Sequence, residues 1–238
     1  MSFLPFLAAR KRLSPRAAIP RSGAAPKYYL SVALHLVDHP LAHDALAELR
    51  DVDTGPTAFR RAARRISTLL IAEALRGLAV RDGTVSTPLG AAPARVITTD
   101  VVMVPVLRAG LGMLEAALDL VPNARVGHIG LQRDEATAVA SHYYSRLPPD
   151  LSQSFVLLLD PMLATGGSAA AAVDILRAAR ASTITLACIV SAPEGLAVMD
   201  ARHPDVDVYT PAVDRELNAH KFIVPGLGDF GDRLYGTT

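Results

Sequence analysis

The sequence predicts an α/β fold with a central parallel sheet flanked by helices. Three observations predict it. From residue 101 onward, apolar runs of strand length alternate with runs of helical spacing, the pattern of a parallel sheet. The run Phe155-Val156-Leu157-Leu158-Leu159 is apolar without alternation, as a central strand covered on both faces must be. That run ends in Asp160, and a glycine-bearing turn and an alanine-rich helix follow. Ligands of open α/β sheets collect at the carboxyl ends of strands, which is where Asp160 falls.

Composition narrows the function classes. The chain has 238 residues, half of them hydrophobic, enough for one substantial core. Its net charge of +1 supplies no overall field toward nucleic acid or membrane. No apolar run reaches the length of a bilayer span. The one cysteine, Cys188, lies in an apolar run and reads as a buried, inert thiol. The expected location is cytoplasmic, with organelle targeting left open for the N-terminus.

Residues 1–33 form a basic N-terminal extension, and residues 34–238 the folded domain. The extension carries Arg10, Lys11, Arg12, Arg16, Arg21 and Lys27, and no acid precedes Asp38. A disordered tail, a transit peptide of mitochondrial type and a start codon assigned too early all fit this composition. Residues 59–75 repeat Phe59, Ala62, Ala63, Ile66, Leu69, Leu70 and Ala74 at helical spacing, and Gly77 ends that helix. Residues 84–93, punctuated by Gly83, Pro88 and Gly90, read as a hairpin or loop. Strands are expected at 101–106, 126–131, 155–159, 184–190 and 206–209. Helices are expected at 109–120, 168–180 and about 195–201. The long polar stretch 134–149 reads as a flexible hairpin or lid.

The chemistry concentrates after the strands. Thr165-Gly166-Gly167-Ser168 presents backbone N–H groups and two hydroxyls at a helix N-terminus, an anion site suited to a phosphate monoester. The Walker ending is missing because no lysine occurs there, and the three spaced glycines of a dinucleotide loop are missing too. Arg108 stands just past the 101–106 strand in Leu107-Arg108-Ala109-Gly110, where a guanidinium fork matches phosphate oxygens. Read alone, a surface arginine in a loop fits Arg108 as well. Arg133 follows the next strand in the same way, in Gln132-Arg133-Asp134-Glu135, and a surface pair with a neighbouring acid is its other reading. A third cluster, Phe222-Ile223-Val224-Pro225-Gly226-Leu227-Gly228-Asp229-Phe230, is rich in residues that hold irregular backbone and expose its polar groups.

Asp160-Pro161-Met162-Leu163-Ala164-Thr165-Gly166-Gly167-Ser168 resembles the phosphoribosyl diphosphate (PRPP) loop of type I phosphoribosyltransferases, in the single-acid form found in uracil phosphoribosyltransferases. The resemblance runs from about residue 37 to 238 through His39-Pro40-Leu41, the Arg108 turn, Ala192-Pro193-Glu194-Gly195, His203-Pro204-Asp205-Val206 and the 222–236 segment. It implies a type I phosphoribosyltransferase fold with a small hood formed by N- and C-terminal segments. It implies Mg²⁺-dependent transfer of ribose 5-phosphate from PRPP to N1 of uracil, giving UMP and diphosphate in pyrimidine salvage. Arg108, Arg133, Asp160 to Ser168 (including Pro161, Met162, Leu163 and Ala164) and Asp229 would bind PRPP, with Asp160, Arg108 and Arg133 catalytic. Ile223, Gly228, Asp229 and Phe230 would hold uracil, mainly through backbone groups. Mg²⁺ would be held mainly by PRPP and water, with Asp229 as a possible ligand.

The partners implied are uracil and PRPP, with no nucleic acid or membrane, in a homo-oligomer of two subunits or more. Departures from the family pattern at Arg65, Ala72, His142 and Arg146 bear on assembly and regulation more than on chemistry, and Phe230, where alanine is frequent, should be tolerated by backbone-mediated recognition. Two other readings keep the fold: a pyrimidine-sensing RNA-binding regulator, opposed by Asp160-Pro161 and by the near-neutral charge, and a PRPP sensor without catalysis.

Overall fold

A computed structural model describes residues 32–133 and 140–237, with Arg133 and Ala140 described by backbone alone. The N-terminal extension up to residue 31 and the tip of the expected lid, 134–139, lie outside the described residues. Val32, the first described residue and two ahead of the expected domain start, already contacts the core: its side chain is buried and its N–H donates to Asp200 Oδ1 at 2.6 Å.

Strand β1 (Leu34–Leu36) leads into helices α1 (Pro40–Arg50) and α2 (Pro56–Ala74). Helix α1 is absent from the sequence reading. Pro40 starts it, His39 Nδ1 accepts from Leu41 N–H at 3.1 Å, and Ala42, Ala45, Leu46 and Leu49 form its buried stripe. Helix α2 buries the expected stripe except for Leu69, which is half-buried, and adds Ile71; Phe59, Ile66, Leu70 and Ile71 are fully enclosed. Arg65, one of the departures noted above, bonds Asp44 at 2.6 Å and Glu48 at 3.1 Å on α1. The expected hairpin is longer than its punctuation suggests: β2 (Val80–Thr87) pairs antiparallel with β3 (Gly90–Ile97) around Pro88 and Leu89.

The chain then alternates through β4 (Asp100–Leu107), α3 (Leu111–Leu120), β5 (Arg125–Val126), β6 (His128–Arg133), β7 (Ala140–Arg146) and β8 (Ser154–Leu159). It continues through β9 (Met162–Leu163), α4 (Gly167–Ala178), β10 (Thr183–Ala187), β11 (Val190–Ser191), α5 (Pro193–Arg202) and β12 (Asp207–Thr210). A short ribbon of β13 (Glu216–Leu217) and β14 (Ile223–Val224) precedes helix α6 (Phe230–Tyr235).

The main sheet runs in the order β1-β12-β10-β8-β4-β6-β7, with β5 also beside β4. Its pairings are parallel except that β7 returns antiparallel to β6. The residues framing 134–139 thus form the hairpin expected there. Side chains alternate between two cores, as strand geometry requires. Val101 and Met103 of β4 and Leu157 and Leu159 of β8 join α1, α2, α3 and α6 on one face. Val102, Val104, Val156 and Leu158 join α4 and α5 on the other. Each fully buried leucine contributes roughly 2 kcal/mol.

Two expected strands are broken. The 184–190 run ends as a sheet strand at Ala187, because Pro161 O draws in the N–H groups of both Ile189 (2.9 Å) and Val190 (3.1 Å). Val190–Ser191 pairs instead with Met162–Leu163, next to the glycine turn. The 126–131 run is interrupted at Gly127, whose N–H donates to Met103 O at 3.0 Å.

Candidate active site

Strand order places the site. After β4 the chain moves outward through β6, and after β8 it moves the opposite way through β10 and β12. The crevice between β4 and β8 is therefore the topological switch point, where open α/β sheets bind ligands. Pro105 lies opposite Leu159, so Arg108 and Asp160 leave the same sheet edge from adjacent strands. Gly130 lies opposite Leu107, so Arg133 ends β6 on that edge too. The 108–112 turn packs directly on the end of β8: a Cβ on Gly110 would sit 2.3 Å from Leu159 O and 2.7 Å from Val106 N and O, so no larger residue fits.

Asp160 is half-buried at the end of β8 and accepts from Met162 N–H at 3.4 Å. Desolvation pushes its carboxyl up to about 7, with the Met162 amide opposing the rise. Thr165 and Ser168 flank the start of α4, and among the described residues neither hydroxyl makes a hydrogen bond. Gly166 is the N-cap with φ of 77°, a backbone state that suits glycine, and no side chain caps the helix. The first N–H groups of α4 are thus presented as an anion site.

The C-terminal segment closes over this edge. Arg108 is exposed, bonds Asp232 at 3.3 Å and lies 6.0 Å from the centre of the Tyr235 ring. A cavity of about 90 Å³ opens between the phosphate-type turn and the C-terminal segment, lined by Met162, Ala164, Lys221, Phe222, Ile223, Gly228 and Asp229. Three of the four expected base-binding residues line it: Ile223, Gly228 and Asp229. Phe230 does not. It starts α6 and its side chain is buried edge-on to Phe59, ring centres 5.1 Å apart. The irregular backbone is correspondingly shorter than the sequence suggests, because Asp229 caps α6 by accepting from Asp232 N–H at 2.9 Å.

Two arginines hold the hood, and sequence reading found neither. Arg50 of α1 grips Asp214 with both terminal nitrogens, at 2.9 and 2.6 Å, and also donates to Gly226 O at 2.9 Å. Asp214 Oδ2 accepts from Gly226 N–H at 2.8 Å. Arg233 stacks 4.6 Å from the centre of Phe59 and donates to Leu227 O, Asp51 O and Leu49 O. The turn at 225–228 is therefore tied to α1 across more than 160 residues of sequence. Cys188 is fully buried, 3.1 Å from Ser191 Oγ, and burial pushes its thiol up to about 12, as an inert thiol requires.

Residues 36–237 match the family model described as uracil phosphoribosyltransferase. The chain belongs to the uracil phosphoribosyltransferase family. It is 49% identical over 203 residues to the uracil phosphoribosyltransferase of Dictyoglomus thermophilum, covering 85% of this chain and 98% of that one. It is 49% identical over 203 residues to that of Thermus thermophilus, with the same coverage, and 48% identical over 205 residues to that of Variovorax paradoxus, covering 86% and 98%. Among solved structures, the AQ2163 protein from Aquifex aeolicus superposes with a TM-score of 0.83 at 36% identity, covering 86% of this chain and 99% of that one. Within this chain, α1 and the C-terminal segment are joined through Arg50 and Arg233. Among the described residues, no helix is long and apolar enough to cross a membrane. Among them, too, no group of three or more His, Cys, Asp or Glu side chains could hold a metal ion.

Proposed function

We propose that this uracil phosphoribosyltransferase binds PRPP across the β4–β8 crevice and uracil in the cavity beside it. The observation that carries the reading is their adjacency. The uncapped N-terminus of α4 and the cavity bounded by Ile223, Gly228 and Asp229 share one loop, whose Met162 and Ala164 line the cavity. At about 90 Å³ the cavity is far below the several hundred Å³ of a drug-sized site. It suits one small ring.

In this reading the 5-phosphate sits on the N–H groups and hydroxyls of Thr165 to Ser168. Ionised Asp160 accepts the ribose hydroxyls and favours the cationic sugar of an oxocarbenium-like transition state. Arg108 exchanges Asp232 for the diphosphate, and Arg133 adds a second positive charge to it. No side chain acts as nucleophile, so rate comes from positioning and charge. Uracil offers acceptor, donor and acceptor along O2, N3–H and O4, and backbone groups around Ile223 and Gly228 to Phe230 answer it. Cytosine mismatches at two of the three. When bound, Mg²⁺ would supply charge neutralisation on the diphosphate, held mostly by substrate and water, with Asp229 as the candidate protein ligand.

The β2–β3 hairpin exposes Val80, Val85, Leu89, Val96 and Ile97, and we assign it to contact with a second copy of the chain in a cytoplasmic homo-oligomer. The deciding experiment is a UMP-formation assay with PRPP and Mg²⁺, offering uracil, cytosine, hypoxanthine and orotate side by side. Discrimination against cytosine of about four orders of magnitude in kcat/KM is expected from buried hydrogen bonds. Comparable turnover of hypoxanthine, or none of uracil, would overturn the base assignment.

A further inference from the structure

Lys221 stands apart from every group used above. It lines the base cavity, where Asp229 is the other charged residue. Its backbone has φ of 64°, a conformation that suits glycine and disfavours a residue carrying a side chain. Three hydrogen bonds hold it there. Lys221 N–H donates to Asn218 O at 2.9 Å, and Asn218 Oδ1 accepts from His220 N–H at 2.9 Å and from Phe222 N–H at 3.0 Å. A strained residue persists where its surroundings over-determine it, and such residues cluster at functional sites.

We propose that Lys221 is a charge-stabilising catalytic residue for the base. The inference rests on the placement of uracil in this cavity. N-Glycosylation forms a bond from N1 to C1′ and breaks the bond from C1′ to the diphosphate oxygen. The diphosphate leaves with that electron pair, and the N1 proton passes to solvent water at the open mouth of the cavity. As the proton leaves, negative charge spreads from N1 onto O2 and O4. A lysine ammonium has protons to donate and no lone pair, so it acts on this charge as a hydrogen-bond donor and counter-ion, not as a base. The same ammonium offsets the Asp229 carboxylate, which would otherwise oppose an anionic base in so small a site.

The acidity of the base tests this. 5-Fluorouracil has the hydrogen-bonding edge of uracil but a more acidic N1–H, so it needs less help from a cation. Lys221→Met should lower kcat/KM for uracil about fivefold or more, as expected for one charge near a partly solvated site. The loss for 5-fluorouracil should be less than half as large, and PRPP affinity by calorimetric titration should stay unchanged. Lys221→Arg should restore most of the rate. Lys221→Gly, which relieves the backbone, should melt no earlier than the wild type yet show the same selective loss for uracil. Equal losses for both bases, or a fall in PRPP affinity that accounts for the loss, would overturn the proposal. So would full activity of Lys221→Met. If the wild type fails on uracil and on 5-fluorouracil alike, the base assignment has failed instead.

Discussion

Asp214→Asn isolates the tether between the hood and the rest of the fold. Asp214 is buried, 8% exposed, and its two oxygens accept three hydrogen bonds from Arg50 and Gly226 at 2.6 to 2.9 Å. Asparagine keeps the shape but turns one acceptor into a donor. At least one charge-assisted bond is lost, a donor faces a donor, and the Arg50 charge loses its partner. A hydrogen bond to a charged group contributes about 1.5–3 kcal/mol, and breaking a fully buried pair costs about 3–5 kcal/mol. Arg50 keeps 26% of its side chain in water, which softens the loss. The expected cost is about 3 kcal/mol, or roughly 6–12 °C in Tm for a domain of this size. Gly226 lies two residues before Gly228, which lines the cavity, and the bonds of the tether run between Arg50, Asp214 and Gly226 and not to the 165–168 turn. The KM for uracil should therefore rise while PRPP affinity holds. Thermal unfolding and paired titrations read both effects. A Tm within about 2 °C of wild type, or parallel losses for both substrates, would refute the tether.

The remaining predictions address the crevice and the boundary of the domain. Asp160 has a folded-state pKa of about 7 against an ordinary 3.8, so between those values the folded protein holds a proton that the unfolded chain has lost. Its contribution to stability is complete below about pH 4 and is lost as pH rises through about 7. Asp160→Asn should abolish that fall in denaturation curves taken across the range, while in the wild type kcat/KM for PRPP should rise through about pH 7 as the carboxylate forms. Thr165→Ala should weaken PRPP binding roughly tenfold, the loss of one charge-assisted hydrogen bond, with Tm unchanged; unaltered calorimetric affinity would reduce the 165–168 turn to a turn. A chain shortened to begin at Val32 should keep its activity and Tm, whereas one beginning at Leu34 should lose about 2 kcal/mol with the buried Val32 side chain and its bond to Asp200. Equal melting of the two would show that Val32 adds nothing.

Local signals made much of this protein legible in its residues. The apolar run before Asp160, the turn that starts α4 and the stripe of α2 each depend on neighbours within a few positions, so composition and period announce them. Helix α1 escaped the sequence reading although Ala42, Ala45, Leu46 and Leu49 recur at helical spacing behind a proline, because the exposed Leu41 and Ala47 blur that period. Tertiary structure alone decided the rest. Strand order made the β4–β8 crevice a switch point, and no spacing along the chain encodes which strands become neighbours. Pro161 O cut one expected strand short by capturing two amides from a distant loop. Arg50, Asp214 and Gly226 read as unremarkable residues until folding brings a cation, a carboxylate and a peptide group together across more than 160 positions, where desolvation makes them strong. Asp229 and Phe230 divided their duties in the same way: the carboxylate caps a helix at the cavity edge, while the adjacent ring turns into the core against Phe59.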